Sequence, residues 1–213
     1  MSSPSAVIEH IVLFKVKDNT ESSKVNAWLN GINGLKSLGL TLHLTAGPLL
    51  RTRSSPLAFT HLLHSRYKTK DDLAAYSAHP NHLSVVKDLG LPICDDIMAV
   101  DWVSEGLTVP VVPPPGSAIR VKVLKLKENI GEAAKGEIVE VIKGSFGDVG
   151  QISVGENFSP ARAKGYSIAS VAVFKGVSEM EAVDSKEEDK VREYSESVIV
   201  LGYVVPSPQS ATL

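Results

Sequence analysis

The sequence predicts an α+β fold made of two tandem ferredoxin-like domains, each with the element order β-α-β-β-α-β. Segments that alternate between apolar and polar residues are separated by segments with helical spacing. A proline-rich stretch divides the chain near its midpoint, and the order of elements before it recurs after it. We therefore expect a first domain at 1–104, a linker at 105–117, a second domain at 118–206 and a flexible tail at 207–213.

The linker prediction rests on Pro110 and on the triplet Pro113, Pro114 and Pro115, which Gly116 follows. Consecutive prolines favour an extended polyproline II spacer. They also remove the backbone N–H groups that a helix or a sheet requires. This stretch is therefore expected to separate the two domains.

The first predicted strand, Ile8 to Lys17, has two different faces. Side chains alternate across a strand, so the even positions, which are almost all apolar, should face a core. The odd positions mix apolar and charged residues, and we expect another layer to cover them in part. We predict that Ile11 and Leu13, with Val121 and Val123 of the second half, lie at a seam between the two halves or between two chains.

The remaining elements of the first half follow from spacing and from stop signals. Gly31 and Gly34 end the first helix, and Pro80 suits the first position of a helix that His79 caps. The predicted elements are a helix at Thr20–Gly34, a strand at Leu40–Leu50, a polar loop at Arg51–Pro56, a strand at Phe59–Tyr67, a helix at Lys70–Tyr76, a short helix from Pro80 and a strand at Ile97–Val103.

Composition excludes several classes of function. The formal net charge is −2, so the sequence lacks the basic surface that attracts nucleic acids or anionic membranes, and we expect neither partner. No apolar run approaches the ~20 residues that span a bilayer. Cys94 is the only cysteine, which excludes an intrachain disulfide.

The termini bear on localisation. The first residues show neither the basic start nor the apolar core of a secretory signal, so a cytoplasmic protein is expected. Ala211-Thr212-Leu213 matches the Ser-Lys-Leu peroxisomal signal poorly, which makes a peroxisomal location the weaker alternative.

The run from Tyr76 to His82 is the richest in proton-transfer groups, with one phenol and two imidazoles in seven residues. A histidine titrates near neutral pH and can act as a general base. The alternatives are structural, because His79 can serve as a helix cap and His10 and His61 can be hydrogen-bonded core histidines. A metal site at His79 and His82 would need a third ligand, and we expect no metal and no cofactor.

Four segments of the first half together carry a family resemblance, namely His10-Ile-Val-Leu-Phe-Lys, Phe59-Thr60-His61, His79-Pro80-Asn81-His82 and Asp101-Trp102. On these segments the first half resembles the stress-response A/B barrel domain, a group of dimeric α+β barrels common in plants. The second half resembles the same domain more distantly. In such barrels two domains pair through their sheets, so the tandem copy could close a barrel within one chain or each half could pair with a second chain.

The resemblance extends to the polyketide cyclase of this fold that makes olivetolic acid, whose catalytic tyrosine and histidine match Tyr76 and His82. It implies a cofactor-free aldol cyclisation in which His82 is the general base and Tyr76 holds a carbonyl oxygen. His10, His61 and Phe14 would then bind a small hydrophobic substrate. This interpretation requires an enclosed pocket of ~300 Å³ or more at Tyr76 and His82.

The competing interpretation is a stress- or defence-associated barrel protein that acts through binding or assembly. All six histidines lie in the first half, and His10, His61 and Tyr76 align with Arg120, Ile168 and Val183. His82 falls near Asp189 in the same alignment. The chain is therefore expected to hold one chemical site at most, in its first domain.

Overall fold

A computed structural model describes residues 6–107, 111–145, 150–183 and 191–207. The chain forms two antiparallel sheets, each with its own helices on one face. Residues 108–110 of the predicted linker, the predicted tail from 208 onward and the position of Asp189 lie outside the described residues. No helix among the described residues is long and apolar enough to cross a membrane.

The first domain has the predicted order with one added strand. Its elements are β1 (Val7–Val16), α1 (Ser22–Gly34), β2 (His43–Pro48), β3 (Arg51–Ser54), β4 (His61–Tyr67), α2 (Lys70–Ala78), α3 (Pro80–Ser84) and β5 (Cys94–Ser104). A 3₁₀ turn follows α1 at Leu35–Leu38, and a π-helical turn follows α3 at Val85–Gly90.

The second domain repeats this order. Its elements are β6 (Ala118–Leu126), α4 (Glu132–Gly144), β7 (Gln151–Glu156), β8 (Ile168–Phe174), α5 (Val177–Ala182) and β9 (Ser195–Val204). The first sheet has the strand order β2-β4-β1-β5 and the second β3-β9-β6-β8-β7. The first strand of each domain is central in its sheet. In the first domain β1 lies between β4 and β5, and in the second domain β6 lies between β8 and β9.

The prediction that Arg51–Pro56 is a polar loop is wrong, because Arg51–Ser54 forms β3. This strand pairs with β9 of the second domain, with Arg51 opposite Gly202 and Thr52 opposite Leu201. Among the described strands it pairs with none of the first domain, and its ladder hydrogen bonds are made across the domain boundary. The first domain thus adds a strand to the sheet of the second.

The two sheets pack face to face within one chain and enclose a shared apolar core. Ile11 and Leu13 of β1 lie in this core with Val121 and Val123 of β6, and all four are fully buried. The predicted seam is confirmed, and it closes within the chain. Burial of apolar surface between the sheets stabilises the pairing of the domains.

Two aromatic side chains close the barrel in a nearly symmetric way. Trp102 of β5 donates from Nε1 to Ser153 Oγ of β7 at 2.9 Å. Tyr203 of β9 makes the reciprocal contact, with its hydroxyl 2.8 Å from Thr45 Oγ1 of β2. In each domain, therefore, an aromatic residue of the last strand hydrogen bonds to a side chain on the second strand of the other domain.

A buried charged cluster lies at one end of the barrel interior. His64 Nε2 lies 2.7 Å from Glu9 Oε2, and Arg66 Nε donates to Glu9 Oε1 at 2.9 Å. Arg66 also donates to Gln151 Oε1 of the second domain at 2.8 Å and to the Val111 carbonyl of the linker. Burial by itself would raise the pKa of Glu9, but the charges of Arg66 and His64 outweigh it and lower that pKa. The cluster explains why the odd face of β1 contains a charged residue.

Candidate functional site

A cavity of about 440 Å³ lies between the first sheet and the helices of the first domain. Its volume exceeds the ~300 Å³ that a small-molecule pocket requires. Apolar side chains from the sheet and from α1 form most of its wall, among them Val12, Phe14, Trp28, Ile32 and Leu63. These side chains line the space without filling it.

Polar groups of the cavity come from three different elements of the first domain and from the second domain. His10 of β1, Tyr76 of α2 and His82 of α3 face it, together with Arg162 and Lys164 of the second domain. His10 and Phe14 point to the same side of β1 and lie four residues apart, about 13 Å along the strand. The cavity therefore has a polar end near His10 and an apolar end near Phe14.

The joint between α2 and α3 brings Tyr76 and His82 together. Its geometry follows from His79, whose Nδ1 accepts the Asn81 N–H at 3.1 Å while Pro80 occupies the first helical position. The predicted capping role of His79 is confirmed. The chain turns at this cap, and the rings of Tyr76 and His82 lie 4.7 Å apart.

The hydrogen bond of His82 determines its tautomer. Its Nδ1 lies 2.9 Å from the Ser77 carbonyl oxygen, which can only accept, so Nδ1 bears the proton. In the neutral ring, Nε2 then has a free lone pair. Burial lowers the pKa of His82, and the charges of His10 and Arg162 lower it further, although the Ser77 bond opposes them. The neutral imidazole is therefore the favoured form near neutral pH.

The hydroxyl of Tyr76 is buried, and no described residue offers it a hydrogen bond. Burial raises the pKa of Tyr76, so the phenol keeps its proton and can act as a donor. A buried hydroxyl without a partner costs about 1–3 kcal/mol. The ring itself is well packed, with its centroid 5.4 Å from that of Tyr67.

His10 is held by Asp101, which lies opposite it on β5. The Nδ1 atom of His10 bonds to Asp101 Oδ1, and Asp101 is fully buried. Burial alone would raise the pKa of Asp101, but the hydrogen bond and charge of His10, together with Arg162, lower it to about 2. Asp101 is thus an ionised acceptor that orients His10.

The second domain fixes Asp101 through the connection between β7 and β8. Its Asn157 side chain accepts the Asp101 N–H at 3.0 Å, and the Phe158 N–H donates to the Asp101 carbonyl at 2.9 Å. Arg162 Nη2 donates to Asp101 Oδ2 at 2.5 Å. The polar end of the cavity is therefore assembled from both domains.

Phe14 and His61 occupy different places. Phe14 lines the cavity and packs edge-to-face on Trp28, with ring centroids 4.9 Å apart. His61 does not line the cavity. It lies behind Trp28 at 5.5 Å between ring centroids, and its Nδ1 is 2.9 Å from Thr60 Oγ1.

Arg162, Lys164 and the pairing of Asp101 with His10 were not identified as site features from the sequence. Asp101 appeared only as part of a family motif, and its role depends on strand register. Arg162 and Lys164 lie in a short segment of the second domain with no local pattern that points to a cavity. The family resemblance gave one indirect signal, since it implied that two domains pair through their sheets.

The corresponding position of the second domain has a different structure. Arg120, which aligns with His10, is buried and donates to the Val183 carbonyl at 2.9 Å and to the Met180 carbonyl. Its guanidinium also lies over the Phe174 ring at 5.5 Å. Arg120 therefore hydrogen bonds to the end of α5, whereas His10, its counterpart in the first domain, faces a cavity.

Within the described ranges, no group of three histidine, cysteine, aspartate or glutamate side chains is arranged to hold a metal ion. The polar groups of the cavity are suited instead to hydrogen bonding and proton transfer. They comprise a phenol donor, an imidazole with a free Nε2 and a carboxylate-bound imidazole.

The fold and the cavity define a class of protein, a single-chain α+β barrel of the dimeric type with a helix-covered cavity in its first domain. The model of the stress-responsive A/B barrel domain matches residues 8–104 and again residues 120–205. The chain belongs to this family. The family match supports a stress-associated function.

Two relatives from Arabidopsis thaliana, both described as stress-response A/B barrel domain-containing proteins, match the chain over most of its length. The first is 55% identical over 219 residues, which cover 98% of this chain and 83% of that protein. The second is 47% identical over 208 residues, which cover 95% of this chain and 99% of that protein.

Solved structures of two-domain length share the fold. A proposed monooxygenase from Fusobacterium nucleatum aligns with a TM-score of 0.61 at 12% identity, covering 96% of this chain and 94% of its own. A similar protein from Lactobacillus acidophilus aligns with a TM-score of 0.57 at 12% identity, covering 95% and 98%. At this identity the likeness concerns the fold alone.

Proposed function

We propose that the first-domain cavity binds a small, largely apolar carbonyl compound and that Tyr76 and His82 promote its cofactor-independent cyclisation or cleavage. One observation carries this proposal. The Tyr76 hydroxyl is buried without a partner among the described residues, beside an imidazole whose Nε2 is free. An oxygen acceptor on a ligand would satisfy that hydroxyl.

The chemistry follows from the protonation states of the two side chains. His82 Nε2 takes a proton from a CH₂ group between two carbonyls, and negative charge develops on a carbonyl oxygen. Tyr76 donates a hydrogen bond to that oxygen and stabilises the enolate. In an aldol closure the enolate carbon bonds to a distant carbonyl carbon, whose oxygen receives the proton from His82. Formation of this bond closes the ring, and loss of water then introduces a double bond into it.

The remaining residues would bind and orient. Phe14 lies at the apolar end and suits a hydrocarbon chain, whereas His10, oriented by Asp101, can hydrogen bond to a second oxygen. His61 could influence this end only through Trp28, on which it packs. We assign His61 an indirect role in shaping the site.

A second candidate function is ligand binding without turnover, in which the stress-associated protein acts through the bound state. The mostly apolar wall of the cavity favours it, because such a wall can hold a small molecule without any proton transfer. Both candidates require that the cavity takes up a ligand. They differ in whether His82 moves a proton.

The test is to present the protein with a linear poly-β-keto thioester made in situ by a polyketide synthase and to measure aromatic products by mass spectrometry. Wild-type protein should redirect spontaneous products toward one cyclised product. His82→Ala should lower that rate by ~10²–10⁴-fold and Tyr76→Phe by ~10²–10³-fold. Asn81→Ala is the matched control, because Asn81 is exposed on the same helix as His82 and does not line the cavity.

Equal product profiles with wild-type protein, with His82→Ala and without protein would contradict catalysis. Calorimetric titration with the β-diketone benzoylacetone then tests ligand binding without turnover. Binding of benzoylacetone that depends on Tyr76 would support this second candidate function. No binding of benzoylacetone would contradict both candidate functions.

A further inference from the structure

The second domain contributes cations to the first-domain cavity. Arg162 and Lys164 lie in the connection between β7 and β8, which crosses to β5 and lines the cavity near Asp101. Half of the Arg162 side chain is exposed (51%), and so is much of that of Lys164 (42%). These cations therefore lie at the rim and can be reached by a ligand.

We propose that Arg162 recognises a carboxylate on the ligand, so that the cavity selects an acyl compound with an apolar body and a free acid group. This inference rests on the proposed function, since it concerns the ligand of the same cavity. It assigns the second domain a part in specificity and not only in closing the barrel.

The hydrogen bonding of Arg162 supports this role. A guanidinium presents five N–H donors in a planar fork, and the bond to Asp101 Oδ2 at 2.5 Å is made by Nη2. Among the described residues, Asp101 is the hydrogen-bond partner of the Arg162 side chain, and the guanidinium has further N–H donors besides the one that Asp101 accepts. Paired, hydrogen-bonded donors of this kind match a carboxylate in both charge and geometry.

Charge around the rim also supports it. Asp101 is buried behind Arg162, with Oδ1 bonded to His10 and Oδ2 to Arg162, so the guanidinium and not the carboxylate is the exposed member of this ion pair. Lys164 Nζ lies 2.8 Å from Asp96 Oδ1 and adds a second, partly neutralised cation. An incoming anion would therefore meet the cationic groups first.

The order of groups along the cavity predicts how such a ligand lies. The hydrocarbon part would face Phe14 and Trp28, the central carbonyls would face Tyr76 and His82, and the acid would meet Arg162. A thioester group is itself uncharged, so Arg162 would favour the free acid over the thioester of the same keto compound. The ligand class is accordingly a free keto acid with an apolar body.

The experiment is calorimetric titration with para-butylbenzoic acid and with para-butylbenzamide, near neutral pH where the acid is ionised. The two compounds have nearly the same shape and differ in charge. Wild-type protein should bind the acid about 10-fold or more tightly than the amide, because hydrogen bonds to charged groups are the stronger ones. In Arg162→Ala the two affinities should become equal within about 3-fold.

Arg162→Lys should keep part of the preference, since it retains the charge and loses the fork. Arg51→Ala is the matched control, because Arg51 also bonds across the domains, to Glu181 Oε1 at 2.8 Å, away from the cavity. It should keep the full preference. The ratio of the two affinities is measured on one folded sample, so a loss of stability in a variant does not alter it.

The outcomes separate this inference from the proposed function. Equal affinities for acid and amide in wild-type protein, or a preference that survives in Arg162→Ala, would overturn the carboxylate assignment and leave the cavity as a binding site. If neither para-butyl compound nor benzoylacetone binds, the proposed function fails and this inference fails with it.

Discussion

Trp102 of the first domain lies directly against Gly155 of the second, at the point where the two sheets close. A Cβ atom on Gly155 would stand 2.8 Å from Trp102 Cδ1 and 2.8 Å from the Val103 carbonyl oxygen. The corresponding Gly47 has more room, since its Cβ would lie 3.4 Å from the Tyr203 ring. Glycine at 155 thus permits the close approach of backbones that joins the domains.

Gly155→Ala should lower the free energy of unfolding by about 1–3 kcal/mol, because the added methyl group requires the backbone of β5 to move. Gly136→Ala in α4 is the control, since nothing lies within 4 Å of its Cβ position. This control should raise stability by about 0.5–1 kcal/mol. Urea denaturation measures both, and equal stability of Gly155→Ala and wild type would contradict the close contact.

Tyr76→Phe should leave the ligand-free protein as stable as wild type or more stable by up to about 1 kcal/mol, because it removes a buried hydroxyl without a partner among the described residues. The same change should weaken benzoylacetone binding about 10-fold. Tyr203→Phe, which removes a hydroxyl bonded to Thr45, should instead lower stability by about 1 kcal/mol and leave binding unchanged. A clear loss of stability in Tyr76→Phe would indicate a structural role.

The activity should fall in acid with a midpoint below the ordinary histidine value of 6.5, because burial lowers the pKa of His82. A general base acts in its neutral form, so a lowered pKa keeps it competent at pH values where an exposed histidine is already protonated. The measurement is the pH dependence of cyclisation in wild type and in Asn81→Ala, which changes an exposed residue of the same helix and should share the wild-type midpoint. A midpoint above 6.5 would contradict the assignment.

Protonation of Asp101 should contribute to the loss of stability in acid. Its pKa is lowered from 3.8 to about 2 in the folded state, so its contribution is fully present above about pH 4 and is lost as the pH falls toward 2. The contribution amounts to about 2 kcal/mol. Stability curves from about pH 6 to about pH 2 should therefore be flatter for Asp101→Asn than for wild type. Asp96 forms a partly exposed ion pair with Lys164, so Asp96→Asn should keep the wild-type dependence of stability on pH.

The parts of the fold that depend on local pattern could be predicted from the sequence. Alternation along β1 located its two faces, and the position of Ile11 and Leu13 at the seam followed from it. The capping role of His79 followed from Pro80 beside it. In each case residues close in the chain contain the information that determines the structure.

The parts that depend on the other domain could not be predicted. Arg51–Ser54 has no apolar alternation, and it is a strand only because the edge of β9 lies beside it. The pairing of His10 with Asp101 depends on the register of two strands whose residues are 91 positions apart in the sequence. The pairing of Asp101 with Arg162 depends on how the two domains pack against each other. Such contacts follow from tertiary packing, which a single sequence does not encode locally.

The central claim is that the first-domain cavity binds a carbonyl compound through Tyr76. The most direct measurement is a crystal structure of the protein soaked with benzoylacetone. We expect the compound in the cavity, with one oxygen about 2.6–3.2 Å from Tyr76 Oη and the enolisable carbon facing His82 Nε2. A cavity that stays empty at saturating benzoylacetone, or one closed by Phe14, Trp28 and Leu63, would contradict the claim.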